Sequence, residues 1–217
     1  MGKIFSPDLD EGNGYGSFTR PISHIHKFYL SGEVKSPEEY RAWFEEIRSA
    51  PENDVIYIHI NSAGGDAFTA IQFLRALYET KAITVASVEG MCMSAATLIF
   101  MGAQNHEITN HSMFMFHNFS TVAAGKGGEL YAHAVNAKSW SEELLNDIYD
   151  AFLTKPEISS ILRGEDLYLT GEEVNKRLHT RKKKLRSLQK KMIRETKVVE
   201  TAKKAPRKAV KSKMATT

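Results

Sequence analysis

The order of elements in this sequence predicts an α/β layered fold, a sheet faced by helices. Three observations carry that prediction. Strand-like and helix-like runs alternate from residue 26 to 117, which favours parallel strands joined by helical crossovers. Val55–Ile60 (VIYIHI) is short, apolar and β-branched, as a buried strand should be. Gly-containing turns follow the strand runs at 61–66 and 89–94, placing both at the carboxyl ends of strands, where sites in such sheets gather.

The elements follow in order. Residues 1–20 are Gly- and Asp-rich without periodicity and read as a flexible arm. His26–Gly32 (HKFYLSG) is a strand ending in a turn. Ser36, Pro37 and Glu39 form a capping box with proline at the first helical position. The helix they open, 37–49, carries Tyr40, Trp43, Phe44 and Ile47 on one face. After the strand at 55–60 and the turn NSAGGDAF, a helix runs to about Thr80. Ala82–Val88 is the next strand, Gly90 breaks it, and residues 94–101 are a buried helix of small and apolar residues. Met113–Phe116 is a short strand. Residues 128–153 form one long helical pattern that Pro156 stops. A short helix to about Leu162, the strand-like DLYL and a helix capped by Thr170 and Glu173 close the body at about residue 180. Leu185, Leu188 and Met192 allow a basic helix beyond it, and AKKAPRKAVKSKMATT reads as disordered.

Composition narrows the class. At 217 residues, 42% of them hydrophobic and 25% charged, the chain suits one buried domain (21–180) with an arm and a tail (181–217). The single cysteine, Cys92, excludes a disulfide-stapled scaffold and favours a reducing, cytoplasmic setting. No apolar run is long enough to span a membrane, and no apolar signal segment opens the chain. The net charge of +3 conceals an asymmetry: residues 181–217 hold 15 Lys or Arg and two acids, whereas 1–180 hold 14 and 24. A tail of +13 on a body of −10 points to nucleic acid or an acidic partner.

Four places carry residue types suited to chemistry. Gly64-Gly65 after a buried strand permits positive φ and close backbone approach; it serves either as a tight turn or as an oxyanion hole. Ser94 opens a buried helix whose first N–H groups are unpaired, which suits either an N-cap or a nucleophile beside an oxyanion site. His117 lies just past the MFMF strand, within reach of a cleft, and Asp166 begins an apolar run. Those three acquire roles only by converging in space. Cys92 in its apolar stretch is a core residue. His24 and His26 lack a third ligand, so no metal is expected.

Taken together, the blocks resemble ClpP, the proteolytic subunit of the Clp proteases. FYLSGEV, IYIHINSAGGDAFTAIQFLRAL, TVASVEGMCMSAATLIFMGA, NHSMFMFHN, GKGGELYAHAVNAKSWSEELLNDIY and GEDLYLTGEEV follow the family's order from Phe28 to about Val174. The resemblance implies a ClpP/crotonase-type layered fold with a protruding handle helix. It implies Ser94 as nucleophile, His117 as general base, Asp166 as orienting acid, with Glu165 its nearest substitute, and the Gly65 and Ala95 N–H groups as oxyanion hole. It further implies a serine endopeptidase without cofactor, assembled as a ring-like homo-oligomer, acting on polypeptides with an AAA+ unfoldase. Phage head-maturation proteases of this type process capsid and scaffold proteins. Ala63 stands where the family has proline, Ala95-Ala96 where it has Met-Gly, and NKRLHTRKKK where its last strand would be. The alternatives are a crotonase-like acyl-CoA enzyme, a Ser–Lys peptidase that leaves His117 idle, and an inactive scaffold or nucleic-acid-associated homologue.

Overall fold

A computed structural model describes residues 23–204. The elements are β1 (Ile25–Val34), a 3-10 turn (Pro37–Tyr40), α1 (Arg41–Ser49), β2 (Val55–Gly65), α2 (Ala67–Glu79), β3 (Ile83–Met93) and α3 (Ala95–Gly102). They continue with β4 (Asn105–Ile108), β5 (Met113–Phe116), α4 (Gly127–Tyr149), α5 (Lys155–Leu162), β6 (Leu167–Thr170) and α6 (Gly171–Lys204). The sheet runs β1-β2-β3-β5-β6, with β4 also paired to β3. Every pairing is parallel except β5 with β6. The predicted α/β layering is therefore the observed architecture, and parallel strands need the helical crossovers that the sequence alternates with them.

The strands differ from the sequence reading in extent. β2 continues through the glycine turn and β3 through Gly90 to Met93. Each shifts register on the way, β1 against β2 between Ser31 and Glu33 and β2 against β3 between Ile60 and Ser62. Gly90 sits at that bend because Asn61 occupies the space of a side chain: a Cβ would stand 2.8 Å from Asn61 Oδ1, which accepts from Met91 N–H at 3.2 Å. β3 is forked, with Val85–Val88 paired to β4 and Met91–Met93 paired to β5. β4 has no signature in the sequence, because NHEI carries no apolar run. Its backbone is recruited by pairing with β3, not by propensity.

β2 is half-buried, not wholly buried: Ile56, Ile58 and Ile60 face the helices, and Tyr57 and His59 face the other way. α1, α2 and α3 cover one face with Phe44, Ile47, Phe73, Phe100 and Ile99, each almost fully buried. On the uncovered face Tyr29 stacks on His59 at 4.6 Å, and Tyr57 stacks on His59 at 5.8 Å.

Capping also departs from expectation in part. Ser36 makes no side-chain cap bond, and the chain enters α1 through the 3-10 turn. Pro156 does not stop the long helix; α4 ends at Tyr149, and Pro156 lies in the first turn of α5, where its missing N–H is harmless. The Thr170 box closes, with Thr170 N–H donating to Glu173 Oε2 at 2.8 Å and Glu173 N–H to Thr170 Oγ1 at 3.3 Å. The helix it starts passes residue 180 without a break to Lys204, three residues into the stretch expected to be disordered; residues 1–22, which include the arm expected at 1–20, and 205–217 lie outside the described residues.

α5 and α6 are joined by Glu157 and Arg177, paired through two bonds of 2.7 and 2.8 Å. Arg177 and the Thr154 cap hold the Glu157 carboxyl down to about 2, below its ordinary 4.5. A depressed carboxylate contributes stability that is complete above its unfolded value and is lost as pH falls through the folded one. Glu157→Gln is expected to lower Tm at pH 7 by the equivalent of about 2 kcal/mol. The gap to wild type should close between about pH 4.5 and 2. A gap that is constant from pH 6 to 2 would refute this.

Candidate active site

β3 ends at Met93, and Ser94 turns the chain into α3 with φ 52° and ψ −127°. This is a conformation that non-glycine residues seldom adopt, of the kind stored at functional turns. Ser94 N–H donates to the Met115 carbonyl of β5 at 2.9 Å, and its own carbonyl accepts from Thr97 N–H at 2.9 Å. The space for this turn comes from Gly64, at φ 99°. A Cβ there would stand 2.6 Å from Ser94 Cβ, 2.8 Å from the Met93 carbonyl and 3.0 Å from Ala95 N. Gly65, at φ 146°, fits instead against β1, since its Cβ would meet the Val34 carbonyl at 2.2 Å. The glycine pair thus divides its work, one half admitting the serine and the other keeping β1 paired.

His117 follows β5, so the β3–β5 pairing sets it beside Ser94. Its Nε2 lies 2.6 Å from Ser94 Oγ. Asp166, just before β6, presents Oδ1 at 3.8 Å from His117 Nδ1, near enough for electrostatic support but beyond hydrogen-bond length. The antiparallel pair Phe116↔Leu167 places those two neighbours side by side. Glu165 points elsewhere, accepting from Ser160 Oγ and facing Arg163 at 3.6 Å. Cys92, two residues before Ser94, is fully buried, and burial pushes its thiol far above the ordinary range, so it carries no thiolate.

Two groups absent from the sequence reading complete the turn. Thr97 Oγ1 donates to the Ser94 carbonyl at 2.6 Å and lies 2.6 Å from Tyr149 Oη. A threonine hydroxyl has one proton, so the Tyr149 hydroxyl must donate to Thr97. Tyr149 is buried at the end of α4, and desolvation keeps its phenol protonated. The cleft beside Ser94 is walled by Leu98, Phe119, Trp140 and Leu144. Phe68 stacks on Trp140 at 5.3 Å and Phe119 meets it edge-on at the same distance. No signal short of the fold connects these residues, which come from four separate segments.

His24 and His26 are engaged by carboxylates. His26 Nε2 bonds Asp54 at 2.9 Å and Nδ1 bonds Glu46 at 2.7 Å, and the Asp54 and Glu46 bonds raise its pKa. Among the described residues no group of three or more His, Cys, Asp or Glu is arranged to hold a metal ion. None of their helices is long and apolar enough to cross a membrane.

A parallel-dominated α/β sheet that delivers a strained serine and a histidine to one cleft has the form of the ClpP-like peptidases that the sequence resembles. The Clp protease family model matches residues 36–176, about two thirds of the chain, and the chain belongs to the Clp protease family. No curated protein matches it.

Proposed function

We propose that this chain is a serine endopeptidase with Ser94 as nucleophile, His117 as general base and Asp166 as orienting acid. The observation that carries the reading is the 2.6 Å contact between Ser94 Oγ and His117 Nε2 at a serine held in a strained turn. In the reaction, Ser94 Oγ attacks a peptide carbonyl while its proton passes to His117 Nε2. The C–N bond breaks as His117 returns that proton to the amine. Water, deprotonated by the same imidazole, then releases the acyl group from Ser94. Asp166 supports the imidazolium, and its 3.8 Å separation shortens as substrate closes the cleft. The Ala95 and Gly65 N–H groups, at the head of α3 and the end of β2, serve the oxyanion. Substrate lies extended beside the segment after Gly65, paired through its backbone.

The first half of α4 supports a homo-oligomer, ring-like as in the resemblance. Leu130, Tyr131 and Val135 are exposed along a helix that projects from the body. Polypeptides are the substrate, and capsid or scaffold processing is the narrower reading, for which the basic 181–217 segment is the support.

A fluorophosphonate probe followed by peptide mapping tests the reading. Labelling at Ser94 that vanishes in His117→Ala supports it, and a folded, assembled protein that takes no label defeats it. Thr97 and Tyr149 act on Ser94 indirectly, as positioning residues. Thr97→Val keeps the volume but removes one of the two bonds to the Ser94 carbonyl. It should slow acylation about tenfold at nearly unchanged KM, with Thr97→Ser restoring the rate. Equal kcat in Thr97→Val and wild type would dismiss that role.

A further inference from the structure

Arg177 and Arg181 stand one turn apart on α6 and are served differently. Arg177 is matched by Glu157 through two bonds. Arg181 has a buried Nε without a hydrogen-bond partner. The groups that act on it through space are Tyr78 and Asp150, and Asp150 is already paired with Lys184 at 3.4 Å. Burial holds the guanidinium below its ordinary value. A desolvated cation with an unmet donor is costly, and the planar fork of arginine matches a carboxylate.

Arg181 lines a groove of about 770 Å³ between α6, the ends of α2 and α3, and the start of β4. Tyr78, Leu178 and Leu185 give it an accessible apolar floor, and Lys182 and Arg186 add two exposed cations. Among the described residues no Asp or Glu lines it. His106 contributes no charge, since burial lowers it to about 4 and its Nε2 bonds the Phe100 carbonyl at 3.0 Å. The groove lies at the far end of α3 from Ser94, about 10 Å along the helix axis, so an occupant leaves the cleft open.

We infer that this groove docks an acidic polypeptide segment, one carboxylate pairing with Arg181 while neighbouring apolar side chains cover Tyr78, Leu178 and Leu185. Charge complementarity selects an anion, and the apolar floor selects polypeptide over nucleic acid, whose phosphodiester backbone has no alkyl side chain to place there. The inference does not depend on the peptidase reading, because none of its residues belongs to the Ser94 cleft.

The test is fluorescence anisotropy of the full chain with a fluorescein-labelled peptide of alternating Glu and Leu. Saturable binding is expected, weakened about tenfold or more by Arg181→Met and less by Arg181→Lys. Arg163→Met, on the α5 side, should leave it unchanged. Arg181→Met should also raise Tm, because an unmatched desolvated charge is replaced by an apolar side chain. The inference is overturned by an absence of saturable binding, or by equal binding to Arg181→Met. It is equally overturned by tighter, Arg181-dependent binding of oligo-dT than of the peptide. A lower oligomeric state of free Arg181→Met in sedimentation would assign the groove to a second copy of the chain and also overturn it.

Discussion

Ser94→Ala is expected to abolish labelling and lower peptide hydrolysis by about four orders of magnitude or more, with fold and assembly unchanged. The hydroxyl meets the His117 imidazole at 2.6 Å, and alanine leaves that imidazole without a nucleophile. The backbone supplies a second, independent readout. At φ 52° and ψ −127° a Cβ is strained, whereas glycine is not. Ser94→Gly should therefore be as inactive as Ser94→Ala but more stable than it by about 1 kcal/mol in denaturant unfolding. Hydrolysis persisting in either variant would remove Ser94 from the chemistry. Equal stability of the two would remove the strain.

Gly64→Ala should damage the fold and the site together. The added carbon would stand 2.6 Å from Ser94 Cβ, 2.8 Å from the Met93 carbonyl and 3.0 Å from Ala95 N, all of them main chain or rigidly attached to it. The residue is also held at φ 99°. Loss of about 3 kcal/mol or more is expected, together with loss of labelling although Ser94 and His117 are both intact. Gly32→Ala is the control: φ there is 90°, but nothing lies within 4 Å, so only the backbone cost of about 1 kcal/mol should appear. If the two variants unfold at the same denaturant concentration, crowding at Ser94 is not what fixes residue 64 as glycine.

Much of this was legible in the chain itself. Alternating apolar runs set the order of strands and helices, because burying one face of each element requires that periodicity. The blocks around Ser94, His117 and Asp166 carried the family resemblance, and family membership follows from the match over 36–176. The misplaced boundaries share one cause. β2 and β3 extend through glycine turns, and β4 forms from the polar NHEI, because ladder hydrogen bonds to a neighbouring strand outweigh local propensity. Likewise Pro156 reads as a stop when only the preceding pattern is considered and as a start once the Thr154 cap is seen.

By itself, then, the sequence determined the α/β class, the element order and the identity of the candidate nucleophile, base and acid. Only the tertiary structure decided their distances: a direct contact from His117 to Ser94, a looser one to Asp166, and Glu165 turned towards Ser160. It alone assigned Gly64 to the serine and Gly65 to β1, joined Thr97 to Tyr149 across 52 positions, and matched Arg177 while leaving Arg181 unmatched. The physical reason is that periodicity records which face of an element is buried. What a side chain meets there depends on register between strands and on how helices from distant segments pack, and no local pattern carries that information.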